Sequence, residues 1–455
     1  MLQITIVQRI RVVKIYLNRL FGNHQPFLNL MSKTPVPTRR KFLKSTAAIA
    51  AVSPVVMPHI ANAANKDVIL KVGLVGCGGR GTGAASQAMN ADPNVRLVAM
   101  GDMFDDRIDN SWRSLQGRGK ERFDVKPQNK FIGFDAYKKV IDMVDVVILT
   151  TPPLFRPQHL EYAVSQKKHV FFEKPVAVDP TGVRKVIEMA AKAKAQNTAM
   201  MSGFCWRYHY PKREVFQRVL DGAIGDIRTA YTTYNTGPVW KKPRQEGWSD
   251  WEAQLRNWTG YTWLSGDSIV EQAVHSLDMA RWALGDRVPV RAVGTGGRET
   301  YDSLDKWGNI YDHFGVTYEF EEGVRLFHFS RQQSGTSGSY ECEVHGTKGL
   351  CSGKNRHSIT GEEEWRYRGK SNDMYQTEHN ELFASIRQGK PINDGERAAH
   401  STLLAILGRT VAYTGKSVTW EQALNSKEDL RPPHYDLGQK LPITPVAIPG
   451  VTKFV

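Results

Sequence analysis

"VILKVGLVGCGGRGTG" (Val68–Gly83) joins an apolar, β-branched run to a cluster of glycines, and that junction decides the fold. Val68–Gly76 reads as a strand, and "GRGTGAASQAMN" from Gly79 as the start of a helix. Gly76, Gly78 and Gly81 form G-x-G-x-x-G between them. Glycine permits the tight turn and the close approach of backbone to a pyrophosphate, and a helix N-terminus offers unpaired N–H groups and a positive dipole end. Asp102 closes the next apolar run, "VRLVAMGD", 26 positions after Gly76, where a carboxylate can accept from a ribose hydroxyl. The pattern predicts a dinucleotide site built on Gly76, Gly78, Gly79, Arg80, Gly81 and Asp102. An acidic residue there disfavours a 2′-phosphate, so NAD is expected over NADP, with Arg107 nearby as the counter-signal.

Working outward, "VDVVILTTPP", "KHVFFEKP" and "TAMMSGF" are further apolar strands, with helical stretches "PQHLEYAVSQ" and "TGVRKVIEMAAKAKAQN" between them. Continuous apolar strands alternating with helices predict an α/β fold, a doubly wound parallel sheet over residues 64–204. Beyond it the runs alternate and are rich in aromatic and β-branched residues, as in "FGVTYEFEEGVRLFHFSRQ" and "GSYECEVHG". Residues 205–455 are therefore expected to form an α+β domain around a largely antiparallel sheet with one covered face.

Ligands of doubly wound sheets lie across the carboxyl ends of the strands. That rule directs Thr151 and Pro152 of "TTPPLFRPQH" toward the cofactor, with His159 either beside it or in an ordinary loop. It also gives meaning to "FFEKPVA" (Phe171–Ala177): Lys174 emerges at a strand end where a nicotinamide ring and its substrate would lie, Pro175 fixes the exit, and Glu173 can orient neighbours, so Glu173 and Lys174 join the residues expected at the cofactor. An ammonium there either binds a substrate hydroxyl and lowers its pKa, or forms a strand-end salt bridge. In "EQAVHSLD" (Glu271–Asp278) the i, i+4 spacing of Glu271 and His275 predicts one helix face, a carboxylate supporting an imidazole base. Trp240, Trp248, Trp251, Trp258 and Trp263 fall within 24 positions. Indole faces stack on sugar rings, so one or two of them, Trp263 first, are expected at a substrate cleft and the rest in the core. Tyr311, in "GNIYDHFGV", reaches the cleft or packs at a strand edge.

Taken in order, G-x-G-x-x-G, "TPP…H", "EKP" and "EQAVHSLD" resemble the glucose–fructose oxidoreductase/inositol dehydrogenase (Gfo/Idh/MocA) family, over essentially the whole chain after residue 63. The resemblance implies a Rossmann domain followed by a domain whose open sheet often mediates homo-oligomers. It implies catalysis by Lys174 with Glu271 and His275, Glu271 standing where the family usually has Asp. Arg207, in "CWRYH", stands where the family often has an arginine near the cleft, and Asp278 and Trp282 are read as packing residues.

The formal charge of +15 raises the question of nucleic acid, but nine Lys/Arg and no Asp or Glu lie within residues 1–63, leaving +6 for the rest of the chain. That bias is too small to argue for nucleic acid. The basic start has its own form: "TRRKFLK" (Thr38–Lys44), a short apolar stretch, then "ANA" (Ala61–Ala63). A twin arginine ahead of an apolar stretch and an A-x-A site predicts export by the twin-arginine translocation machinery, with cleavage after Ala63 and a periplasmic product. "MSKTPVPTRRKFLK" is a complete signal start, so translation is expected to begin at Met31. Of four cysteines, Cys77 and Cys205 suggest no staple, and Cys342 and Cys351 are read as two buried thiols with pairing as the alternative. No C-x-x-C pair or H-E-x-x-H appears, so no metal site is expected.

Together these features predict an exported NAD-dependent oxidoreductase acting on a secondary alcohol of a sugar, glycoside or cyclitol with a retained cofactor. Two rivals use the same parts: a redox-neutral glycoside hydrolase working by oxidation and elimination, and a non-catalytic sugar-binding protein.

Overall fold

The computed structural model describes residues 67–354 and 356–455. The twin-arginine segment and the cleavage site lie outside those residues. Six parallel strands open the fold: β1 (Leu70–Val75), β2 (Val95–Asp102), β3 (Lys130–Ile132), β4 (Val146–Leu149), β5 (His169–Phe172) and β6 (Met200–Ser202). Their order is β3-β2-β1-β4-β5-β6: from β1 the chain winds outward first through β2 and β3 and then, on the other side, through β4, β5 and β6, and β1 and β4 pair in parallel at this switch point. Helices α1 (Gly79–Ala91), α2 (Asp105–Gly119), α3 (Ala136–Asp142), α4 (Arg156–Ser165) and α5 (Pro180–Ala195) cover the faces. Every residue of β4 and β5 is buried, which explains their unbroken apolar runs. The sequence pattern missed β3, which has three residues and no fully buried side chain. Asp179 caps α5 by accepting from the Gly182 amide at 2.7 Å, and Pro180 holds its first turn.

The chain continues through α6 (Tyr210–Leu220), β7 (Ile227–Thr236), α7 (Asp250–Arg256), α8 (Thr262–Ser265), α9 (Ser268–Glu271) and α10 (Val274–Ala283). Then come β8 (Arg291–Gly297), α11 (Leu304–Trp307), β9 (His313–Glu319), β10 (Arg325–Gln332), β11 (Cys342–Gly346), β12 (Gly349–Ser352), β13 (Ser358–Gly361) and β14 (Trp365–Arg366). Helices α12 (Met374–Arg387) and α13 (Gly395–Thr414), strand β15 (Val418–Thr419) and α14 (Trp420–Asn425) end the regular structure. The second sheet has the order β14-β13-β12-β11-β7-β10-β9-β8-β15. Its pairs are antiparallel except β7 with β10, which run parallel from Thr229↔Arg325 to Thr236↔Gln332. Alternation sets its faces: Phe314, Val316 and Tyr318 of β9 and Leu326 of β10 point inward, beneath the buried α13, while Phe329 points out. All four cysteines are buried free thiols.

The expected boundary at residue 204 is not where the first core ends. Leu382, Phe383 and Ile386 of α12 pack in one cluster with Leu74, Ile148 and Phe171. The Ile392 carbonyl accepts from the Met200 amide at 2.9 Å, and Arg387 holds Asp92 at 2.8 Å. The amphipathic pattern of "EHNELFASIRQG" identified the helix but carried no sign of which sheet it covers.

Candidate active site

The glycine loop is built for close approach. Gly76 has φ +95°, and a Cβ there would lie 2.6 Å from the Thr150 and Thr151 backbone; a Cβ on Gly81 would overlap the Gly76 carbonyl. Around Gly78 and Gly79, by contrast, nothing lies within 4 Å of an added Cβ, so the turn that opens α1 faces free space. That space is a cavity of about 510 Å³ lined by Gly76, Gly78, Gly79, Arg80, Gly81, Asp102, Thr151, Pro152 and His159. Nine of the eleven residues expected from sequence to surround the cofactor thus converge on one cavity, whose helix start fits a pyrophosphate, whereas Glu173 and Lys174 do not line it and are held instead by Arg80 and Glu271.

Asp102 accepts from the Cys77 amide at 2.6 Å and from the Phe104 amide at 3.0 Å, so it also ties the loop together. Burial raises its pKa. His159 stacks on Tyr137 with ring centroids 4.1 Å apart, and its Nδ1 lies 3.4 Å from Thr151 Oγ1. Burial, and then Arg156, push its pKa down to about 3, so the ring is neutral. Glu173 accepts from Arg80 Nε at 2.7 Å, and Arg80 also holds Glu378 of α12 at 3.2 Å. A side chain on Gly203 would displace the Glu173 carboxylate.

Lys174 leaves β5 through a cis peptide to Pro175, whose carbonyl accepts from Arg156. Its Nζ donates to the Glu271 carbonyl at 2.5 Å and to Glu271 Oε1 at 3.1 Å. The expected single helix face for Glu271 and His275 is not what forms. Helix α9 ends at Glu271, Gln272 turns the chain (φ −107°, ψ −55°), and α10 begins at Val274. The carboxylate is thereby directed to Lys174 instead of the imidazole. His275 is half-buried, its ring 5.1 Å from Trp206 and edge-on to Phe204. Its Nδ1 is enclosed without a partner among the described residues. Burial, and then the Lys174 ammonium, hold its pKa well below the usual value, so the imidazole is neutral and able to accept a proton.

Three residues expected at the substrate lie elsewhere. Arg207 is locked in a buried pair with Asp278 (2.9 Å) and also holds Asp286 (2.6 Å). Burial alone would raise the Asp278 carboxyl, but Arg207 pulls it down to about 2. Tyr311 is buried and donates to the Ala447 carbonyl at 2.8 Å. Trp263 packs edge-on against Trp251 and donates to Gln254 at 2.8 Å. Of the tryptophan cluster, Trp240 and Trp258 do face a cleft, but it is the dinucleotide cavity, where Lys242, Leu255 and Arg256 join them. Trp206, stacked on His275, and Tyr234, within electrostatic reach of Glu271, carry no local motif and escape the sequence reading.

Comparison with known proteins agrees with the fold. Residues 70–201 match the oxidoreductase family with an NAD-binding Rossmann fold, and residues 213–352 match the Gfo/Idh/MocA C-terminal domain. The chain is 24% identical over 322 residues to inositol 2-dehydrogenase of Rhizobium meliloti, covering 70% of this chain and 86% of that one. It is 25% identical over 337 residues to 2,7-anhydro-N-acetylneuraminate hydratase of Escherichia coli, covering 71% and 80%. Its fold matches that of aldose–aldose oxidoreductase from Caulobacter crescentus with TM-score 0.61 and 19% identity, over 77% of this chain and 99% of the other. With both halves matched in order, the chain belongs to the Gfo/Idh/MocA family of NAD-binding oxidoreductases.

Proposed function

We propose that the protein oxidises or reduces a secondary alcohol of a sugar, glycoside or cyclitol with NAD. The observation that carries this reading is the Lys174–Glu271 pair at the carboxyl end of β5, with neutral His275 nearby and the glycine-lined cavity alongside. When bound, the dinucleotide supplies a hydride acceptor or donor. His275 takes the hydroxyl proton, and the Lys174 ammonium stabilises the alkoxide that forms. Glu271 positions Lys174, a role in which its longer arm replaces the usual Asp. The similarity to inositol 2-dehydrogenase supports a polyol or sugar substrate. Export by the twin-arginine route completes the reading: outside the cytoplasm no free NAD pool exists, so the cofactor stays bound and a second substrate returns it to its starting state. The outward Phe329 and Val293 of the second sheet offer the apolar surface a homo-oligomer needs.

The redox-neutral alternative is favoured by one observation, the similarity to a hydratase whose named reaction has no net redox. Mass spectrometry of the small molecule released on denaturing the purified protein tests the first step. Stoichiometric NAD supports captive chemistry, and a sugar panel then separates the readings by absorbance change of the nicotinamide or by loss of a substituent without it. A protein that carries no nucleotide and binds neither NAD nor NADP refutes both.

A further inference from the structure

Two cations line the dinucleotide cavity without a partner, and no step above uses them. Arg107, half-buried in the first turn of α2, and Lys242, exposed on the loop from β7 to α7, both border that space. Neither side chain forms an ion pair or a hydrogen bond among the described residues. Asp106, which feels both charges, is held instead by Arg256 at 2.8 and 3.1 Å. Arg256, the third cation of this wall, is matched by Asp106 and Glu252. Lys242 is firmly placed: Asn257 accepts from its backbone amide at 2.7 Å and donates to its carbonyl at 3.0 Å. Asn257 is itself 6% exposed, so a buried side chain fixes where the lysine leaves the backbone.

Asp102 sets the position of the pair along the cavity. A pyrophosphate falls at Gly78 and Gly79, where α1 begins, and the adenosine ribose falls at the end of β2. Burial raises the Asp102 carboxyl, and the Cys77 and Phe104 amides and then Arg107 pull it back. Burial, and then Arg107 and Arg256, lower the Lys242 ammonium. Arg107 therefore stands beside Asp102, with Lys242 beside Arg107, on the ribose side of the cavity. Asp102 is committed to the loop there, one oxygen accepting from Cys77 and the other from Phe104, and Arg107 offsets its charge. Two like charges that repel each other at one cavity wall suit an anion bound between them.

We infer that Arg107 and Lys242 form a site for the 2′-phosphate of NADP, so that the protein takes NADP alongside NAD. The guanidinium and the ammonium supply charge-assisted contacts to that phosphate, one from α2 and the other from the loop after β7. The inference rests on the reading above in one respect, that the cavity takes a nicotinamide dinucleotide.

The test is a pair of titrations of the whole protein, stripped of bound nucleotide on charcoal, with NADPH and with NADH, read by quenching of indole fluorescence. NADPH is expected to bind within about threefold of NADH or more tightly, and weaker binding than that would overturn the inference. Lys242→Gln and Arg107→Gln should each weaken NADPH about tenfold more than NADH, the loss of one charge-assisted contact, and Lys242→Arg should keep the wild-type ratio. The NADPH constant should also rise more steeply with salt than the NADH constant. Displacement of bound NADH by 2′,5′-ADP at a lower concentration than by 5′-AMP is expected as well, a readout that needs no variant to fold. A ratio unchanged in the double variant, or 2′,5′-ADP no better than 5′-AMP, would each refute the site. Binding of NADH with exclusion of NADPH removes this inference and leaves the oxidoreductase reading intact, whereas binding of neither removes both.

Discussion

Arg256 fastens the roof of the dinucleotide cavity to its floor, and cutting it should speed nucleotide release. From α7 it donates to Asp106 of α2 at 2.8 and 3.1 Å, and to Glu252 at 2.8 Å. Its guanidinium also lies 4.0 Å from the Phe104 ring centroid. Asp106 is half-exposed, so solvent screening holds the ion pair to about 0.5–1 kcal/mol. The cation–π contact adds about 0.5–1 kcal/mol. Arg256→Met loses both, about 1–2 kcal/mol, and should raise the release rate about 5- to 30-fold. Asp106→Asn loses only the ion pair and should raise it about two- to fivefold. Stopped-flow chase of prebound NADH, read by energy transfer from Trp240 and Trp258, measures both rates directly. Release from Arg256→Met within a factor of about two of wild type, or an Asp106→Asn effect as large as the arginine's, would refute the latch.

The glycine loop yields a paired prediction: Gly78→Ala enters free space and should fold normally while weakening nucleotide binding, whereas Gly81→Ala collides with the Gly76 carbonyl and should lower the melting temperature. Equal melting temperatures for the two variants would contradict it. His275→Asn should reduce kcat by about 10²–10⁴ with nucleotide affinity retained, as measured by single-turnover reduction and by titration with NADH; a loss confined to nucleotide binding would remove His275 from the chemistry. Stability should fall with pH below about 6.5, because His159, His169 and His328 are buried with pKa values near 3, 4 and 3. The unfolded chain takes up protons the folded one refuses, costing up to about 1.4 kcal/mol per pH unit for each histidine until the folded values are reached. His328→Gln should therefore flatten the melting-temperature profile between about pH 6.5 and 4, and an unchanged slope would refute the assignment.

The parts of the site that are local in sequence were legible, and the parts that depend on tertiary placement were not. The glycine loop, Asp102, the TTPP segment and the EKP strand end each combine a strand terminus with a residue type whose role follows from position alone. Glu271 and His275 were found by spacing, but the turn at Gln272 that separates them leaves no mark in an apolar, alanine-containing stretch. Arg207 was misread because an arginine's partners, here Asp278 and Asp286, are 71 and 79 residues away. One or two of the five tryptophans are expected at a cleft and two, Trp240 and Trp258, do line one, but it is the glycine-loop cavity and Trp263 is not among them, since an indole carries no information about which face of a domain it covers.

The return of α12 to the first sheet makes nucleotide binding a property of the nearly finished chain. Arg80, whose guanidinium borders the glycine loop, has one of its two carboxylates on Glu378, and the apolar wall behind β1 is closed by Leu382 and Phe383. A growing polypeptide released up to residue 204 has every strand of the first sheet but an open flank, so loading with cofactor must wait until almost 400 residues have been made. A fragment of residues 64–204 should accordingly bind dye to exposed apolar surface and fail to retain NADH, and adding a peptide of residues 370–396 should reverse both. If the fragment alone binds nucleotide as tightly as the whole protein, the order of assembly is the opposite one.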